Sequence, residues 1–152
     1  MKQSAIVFAF VSCVLCSAAN AGEITDLDRG TVRLLDGYSH KRIGTTDSDL
    51  GEITRADKSL VIHYDIGMMA GYHVHPSRKA DFRWYRETTI NGHKACLGIK
   101  GGKGSEQLEI TIYGSRNEAT GEPSNFWAVI GKKEDVADVL LIISSYEIKV
   151  HR

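Results

Sequence analysis

Asn91-Gly92 stands between two runs that mix aromatic, β-branched and polar residues, within residues 80–100 (ADFRWYRETTINGHKACLGIK). A two-residue type I′ turn needs positive φ at both central positions, and Asn-Gly supplies that at low cost, so the stretch predicts a β-hairpin. With those two residues as the loop, the register follows. Ile90 faces His93, Thr88 faces Ala95, Arg86 faces Leu97 and Trp84 faces Ile99. Opposed residues share a side and side chains alternate along each strand. One face then carries Phe82, Trp84, Ile90, Ala95, Leu97 and Ile99, with Arg86, Thr88 and His93 as its polar members. The other carries Tyr85, Glu87, Thr89, Lys94 and Cys96. A one-residue slip would turn the apolar set to solvent, so burial is expected to hold this register, with Trp84 and Ile99 directed inward. A lone hairpin is marginal in water, so the rest of the chain has to cover that face.

Further strands are expected at residues 31–35, 51–55, 59–66, 107–113, 125–130 and 146–150. The clearest are residues 59–66, where Leu60, Ile62, Tyr64 and Ile66 alternate with Val61, His63 and Asp65, and residues 107–113, where Leu108, Ile110 and Ile112 alternate with Glu109, Thr111 and Tyr113. Residues 23–30 read as loosely held, residues 38–50 as loop with one irregular strand at most, and residues 67–78 as loop. Val136, Val139, Leu140 and Ile143 recur at i, i+3, i+4 and i+7, the mark of one helix face. Glu134 and Asp135 fall in its first turn, where the helix dipole favours negative charge. The fold class expected is α+β: an antiparallel sheet of about five to seven strands with a C-terminal helix packed on it.

The first residues read as a targeting segment. Lys2 is followed by an apolar run over residues 5–15, and Ala19-Asn20-Ala21 has the small-x-small form of a signal peptidase site. Residues 1–21 are therefore expected to be a signal peptide cleaved near Ala21-Gly22, leaving residues 22–152 as a single domain in the periplasm or outside the cell. Cys13 after Phe-Val-Ser is the alternative, a lipoprotein cleavage box. Lys and Arg total 19, and so do Asp and Glu. That balance lacks the basic bias of a nucleic-acid binder, and no later apolar run is long enough for a transmembrane helix. Cys96 is left alone after cleavage, so no intramolecular disulfide is expected, and the thiol reads as a half-buried weak hydrophobe.

Among six histidines, His73-Val74-His75 is the sharpest feature. In extended backbone i and i+2 point the same way, so both rings can approach one divalent metal. His63 and Asp65, one strand earlier, would complete a 2-His-1-carboxylate set. Gly67, five residues and then His-x-His resembles the opening of the cupin metal motif, which implies a small metal-dependent enzyme. The glutamate that motif carries three or four residues later is replaced by Lys79 or Ala80. The plain alternative is a His pair on a surface loop and a polar strand face. Gly101-Gly102-Lys103-Gly104 lacks P-loop spacing, and no G-x-S-x-G occurs.

Residues 89–95 (TINGHKA) and residues 134–148 (EDVADVLLIISSYEI) together resemble the Mog1/PsbP-like fold group, in which an antiparallel sheet is flanked by helices and a late helix leads into a final strand. Residues 36–53 are also similar to the start of many small exported bacterial proteins. The resemblance implies a binding or accessory module more than an enzyme, and carries no catalytic motif. The expected function is thus a non-catalytic exported domain binding a protein partner or an envelope component. A metal-dependent cupin-like enzyme using His73 and His75, and a secreted inhibitor or immunity protein, are the alternatives.

Overall fold

The computed structural model describes residues 22–45, 47–101, 106–114 and 121–149. The proposed signal segment and lipoprotein cysteine lie outside the described residues. Among the described residues there are ten strands and one α-helix. A seven-stranded antiparallel sheet contains β3 (Tyr38–Thr45), β4 (Asp49–Arg55), β5 (Val61–Ile66), β6 (Trp84–Ile90), β7 (His93–Lys100), β8 (Glu106–Tyr113) and β9 (Pro123–Ile130), in the order β3-β4-β5-β9-β8-β7-β6. A three-stranded antiparallel sheet contains β1 (Ile24–Asp26), β2 (Gly30–Arg33) and β10 (Glu147–Ile148), in the order β1-β2-β10. The helix α1 spans Lys133–Ser144. The architecture is α+β, as the pattern of periods implied.

The chain meanders outward to inward twice. After β3-β4-β5 it crosses to the far edge, then returns through β6-β7-β8-β9 until β9 pairs with β5. The crossing is made by residues 67–82, which include two short 3-10 turns (Met68–Ala70 and Pro76–Asp81). The expected loop is therefore a covering layer. It buries Val74 and Phe82 against Cys96 and Tyr113, on the sheet face opposite the helix. Cys96 is fully buried and free, not half-exposed.

The main core lies on the other face. Ile62, Tyr64, Leu108, Ile110, Phe126 and Ala128 point from the central strands toward Val139, Ile142, Ile143 and Tyr146, and Val32 of β2, with Leu27 and Leu34 flanking the small sheet's strands, joins the same cluster. Alternation puts these residues on one side, and burying each large aliphatic contributes about 2 kcal/mol.

Three readings of the sequence are corrected. Residues 23–30 hold β1, paired with β2 through Ile24↔Arg33 to Asp26↔Thr31. Residues 38–45 form a full edge strand, long and polar because only one neighbour and one face need satisfying. The last strand belongs to the small sheet, pairing Glu147 with Thr31. Gly51 leaves space for the Tyr64 ring, whose atoms come within 2.5 Å of where a Cβ would stand.

Candidate functional site

The hairpin has the register that the Asn-Gly turn demands, from Trp84↔Ile99 through Ile90↔His93. Asn91 has φ 47° and Gly92 φ 79°, the type I′ signature. Its apolar face, however, is only half covered. Trp84 is 42% exposed, and no residue of β6 is buried. Phe82 does not join that face at all. Arg83 N–H bonds the Ile99 carbonyl (2.9 Å), and the Phe82 ring falls on the opposite side, over Gly98. A Cβ at Gly98 would stand 2.2 Å from that ring.

The cause is the rotation of α1. The expected stripe was Val136, Val139, Leu140 and Ile143, but the buried apolar residues are Val139, Ile142 and Ile143. Polar anchors turn the helix. Asp135 accepts from Gly131 N–H and Lys132 N–H (3.0 Å each) and from Arg55 (2.8 Å). Asp138 accepts from Arg55 (3.2 Å) and from the Tyr38 hydroxyl. Burial pushes the Asp135 carboxyl upward, but the Arg55 guanidinium and the two N–H donors outweigh it and hold it below its ordinary value. Burial, with the Asp138 carboxylate, pushes the Tyr38 phenol well above its usual range. The helix is thereby drawn toward β2 and β4, away from the hairpin.

A groove of about 560 Å³ opens between them. Val136, Leu140 and Ser144, spaced at i, i+4 and i+8, form its helical wall. Leu97, Ile99 and Leu108 form the floor, and Trp84, Arg86, Thr88 and Ile90 of β6 the far wall. Leu140 is 36% exposed at its lip. At one end the hairpin tip is tied to the helix C-terminus. Asn91 Nδ2 donates to the carbonyl of Tyr146 (2.7 Å), just past the helix, and to that of Ser144 (3.2 Å), one of the groups that a helix end leaves without intrahelical partners. At the other end Arg83 pairs with Glu106 (2.7 Å). Arg86 makes no ion pair among the described residues and is exposed.

The histidines expected to act together are placed on the opposite face, where His63 and His73 share the Trp127 indole and His75 lies against two tyrosines. His63 and Asp65 lie on β5 with their side chains away from the core, as alternation required. His63 stacks on Trp127 (5.4 Å, 19°) and approaches Glu52 (3.4 Å). His73 packs against the same indole (4.8 Å), its pKa lowered by burial. His75 lies against Tyr72 and Tyr113, and its Nδ1 accepts from Ser77 N–H (3.2 Å). Asp65 Oδ1 is buried without a hydrogen-bond partner among the described residues. Among those residues, no three of His, Cys, Asp or Glu gather as metal ligands. The crossing is latched by a buried pair. Thr111 Oγ1 donates to Asn125 Oδ1 (2.7 Å) and accepts from Val74 N–H (2.9 Å), while Asn125 Oδ1 accepts from His73 N–H (3.2 Å) and its Nδ2 donates to the Gly71 carbonyl (2.9 Å).

Cys96 Sγ lies 3.2 Å from the Tyr85 hydroxyl and 3.6 Å from that of Tyr113. Burial, with the thiol alongside, pushes both phenols well above their usual range. The groove is the candidate site, an open pocket lined mainly by apolar side chains. Sequence reasoning supplied its floor and one wall but not its existence, because the helix rotation depends on Arg55 and Tyr38, about 80–100 residues earlier in the chain. No family model, curated protein or solved structure matches this chain.

Proposed function

We propose that the chain is an exported, non-catalytic binding module that engages a protein partner through the groove between α1 and the β6–β7 hairpin. The observation that carries this reading is the uncovered apolar wall: Trp84 at 42% exposed faces Leu140 at 36% exposed, across about 560 Å³ of open space. Contiguous apolar surface with a polar rim marks interaction sites, and aromatic and Arg residues are the side chains enriched at their centres. The Mog1/PsbP-like resemblance supports the same direction, as does the leader-like segment at residues 1–21. A secreted inhibitor or immunity protein would be one instance of such a module.

The test is photo-crosslinking in intact producing cells. A photoreactive phenylalanine analogue replaces Trp84 or Leu140, and Lys41 on the distant edge strand serves as control. Protein adducts from the two groove positions and none from Lys41 are expected. Equal labelling at all three positions, or adducts with lipid only, would overturn the reading.

A further inference from the structure

We infer that the partner enters as an extended peptide segment that adds a strand to the free edge of β6 and directs alternate apolar side chains into the groove, with an Asp or Glu beside Arg86. The inference rests on the binding reading above and specifies the mode and the ligand chemistry. Four observations carry it.

First, β6 ends the sheet, pairing among the described residues with β7 alone. Ile90 and His93 flank a two-residue turn, so they exchange both of their hydrogen bonds. By alternation, Tyr85, Glu87 and Thr89 turn N–H and C=O outward. An edge of that kind is a template for another chain.

Second, the two edges of the sheet are treated differently. At β3 the register slips between Arg42 and Gly44, and Arg42 is held by Asp28 (2.7 Å) and Asp49 (2.8 Å). A bulge and fixed charges are ordinary defences of an edge. The β6 register runs unbroken from Trp84 to Ile90.

Third, the groove opens on that same edge. Thr89, whose side chain belongs to the other face, still lines it, so the groove reaches the edge of the strand. Side chains of an added strand alternate as those of β6 do, so every second one falls beside Trp84, Arg86, Thr88 or Ile90, on the groove side of the sheet. The strand is seven residues long, about 20 Å.

Fourth, charge selects the occupant. Arg86 is a cation in an apolar wall without an ion pair among the described residues. A second copy of the chain serves poorly: the antiparallel register overlapping all of β6 sets Thr88 of the copy, not an acid, against Arg86, and its Glu87, already paired with Lys94 (3.4 Å), against its own counterpart. An acidic, alternating segment of another protein meets neither obstacle.

The experiment pans random nine-residue displayed segments on the full chain, then titrates the most enriched peptide in synthetic form. Enriched segments should alternate apolar residues and carry Asp or Glu at one fixed position. On the Arg86→Glu variant that position should change to Lys or Arg. N-methylating the peptide amides that face β6 should weaken binding roughly tenfold or more, since several edge hydrogen bonds are lost together. Methylating the intervening amides should change it less than about threefold. Amide exchange at Tyr85, Glu87 and Thr89 should slow in the complex. No enrichment, binding indifferent to N-methylation, or unchanged exchange at those amides would overturn strand addition. Self-association that protects the same amides without peptide would overturn the choice of partner. None of these outcomes touches the crosslinks at Trp84 and Leu140, so the groove reading fails only if those fail.

Discussion

Asn91 is where the turn and the groove can be perturbed together. It occupies a left-handed conformation (φ 47°) at the hairpin tip and donates two hydrogen bonds to backbone carbonyls at the end of α1, at 2.7 and 3.2 Å. Asn91→Gly keeps the backbone conformation and removes both bonds. A net worth of about 1 kcal/mol per bond gives a loss of about 2 kcal/mol, reduced toward about 1.5 because the Ser144 carbonyl is reachable by water. Asn91→Ala removes the same bonds and also places a Cβ in the left-handed region, which costs about 1 kcal/mol more. The two variants should therefore fall in order, Gly about 1.5 and Ala about 2.5 kcal/mol below the natural chain, in urea unfolding followed by tryptophan fluorescence. The denaturant slope should not change, because the surface exposed on unfolding is the same. Equal stability of the two variants would refute the turn argument. A loss under about 0.5 kcal/mol for both would refute the tether to the helix.

Gly98→Ala should destabilise by about 1–3 kcal/mol through overpacking against the Phe82 ring, and Phe82→Leu in the same chain should recover part of the loss; thermal midpoints read both. Asp135 has a folded pKa below its ordinary 3.8, so its contribution is complete above that value and is lost as pH falls through the lower folded one. Asp135→Asn should cost about 2 kcal/mol at pH 7 and flatten the fall in stability below pH 4, measured as urea midpoints across pH. Val139→Ala should cost about 1–3 kcal/mol, because that side chain is buried in the core, whereas Leu140→Gln should cost about 1 kcal/mol or less and yet abolish the crosslinks from position 84. Elemental analysis of chain purified without an affinity tag should find no stoichiometric divalent metal; metal that vanishes in a His73→Ala, His75→Ala double variant would instead support the enzyme reading.

Local signals were legible, long-range ones were not. Asn91-Gly92 set the hairpin register because two positive φ values leave one turn geometry and period two does the rest. Period two likewise separated Ile62 and Tyr64 from His63 and Asp65. The helix was readable in extent but not in rotation. Val136 and Leu140 fit the apolar stripe as well as Ile142 does, and the choice between them lies with Arg55, Asp135 and Asp138. The 67–82 crossing was unreadable for a different reason. Its glycines and Pro76 suit any loop, and Val74 becomes buried only because Thr111 and Asn125, far along the chain, satisfy the backbone around it. His73 and His75 share a side in ideal extended backbone, but the Asn125 latch and the turn at Pro76 engage one with Trp127 and the other with Tyr72. That β6 lies at a sheet edge among the described residues left no local trace, since edge and interior strands differ in their neighbours more than in their residues.

The groove follows from one conflict and its resolution. A hairpin whose inner face carries Trp84, Leu97 and Ile99 requires a cover, and α1 is the nearest element able to provide one. The same helix has to bring Asp135 and Asp138 to Arg55, a cation whose side chain is only 16% exposed. Arg55 is also held by Asp57 (3.3 Å) and Ser59 (2.6 Å) of its own turn, and Asp135 and Asp138 complete its set of partners from the helix. The helix therefore satisfies the ion pairs and reaches the hairpin only at its C-terminal end, through Asn91. The opening that results is lined by β6, an edge strand among the described residues whose register runs unbroken, and by Arg86, a cation that no described acid neutralises. Exposed Trp84 and Leu140, a strand edge unpaired among the described residues, and Arg86 without a described acid lie side by side, and a single acidic extended segment would engage all three at once.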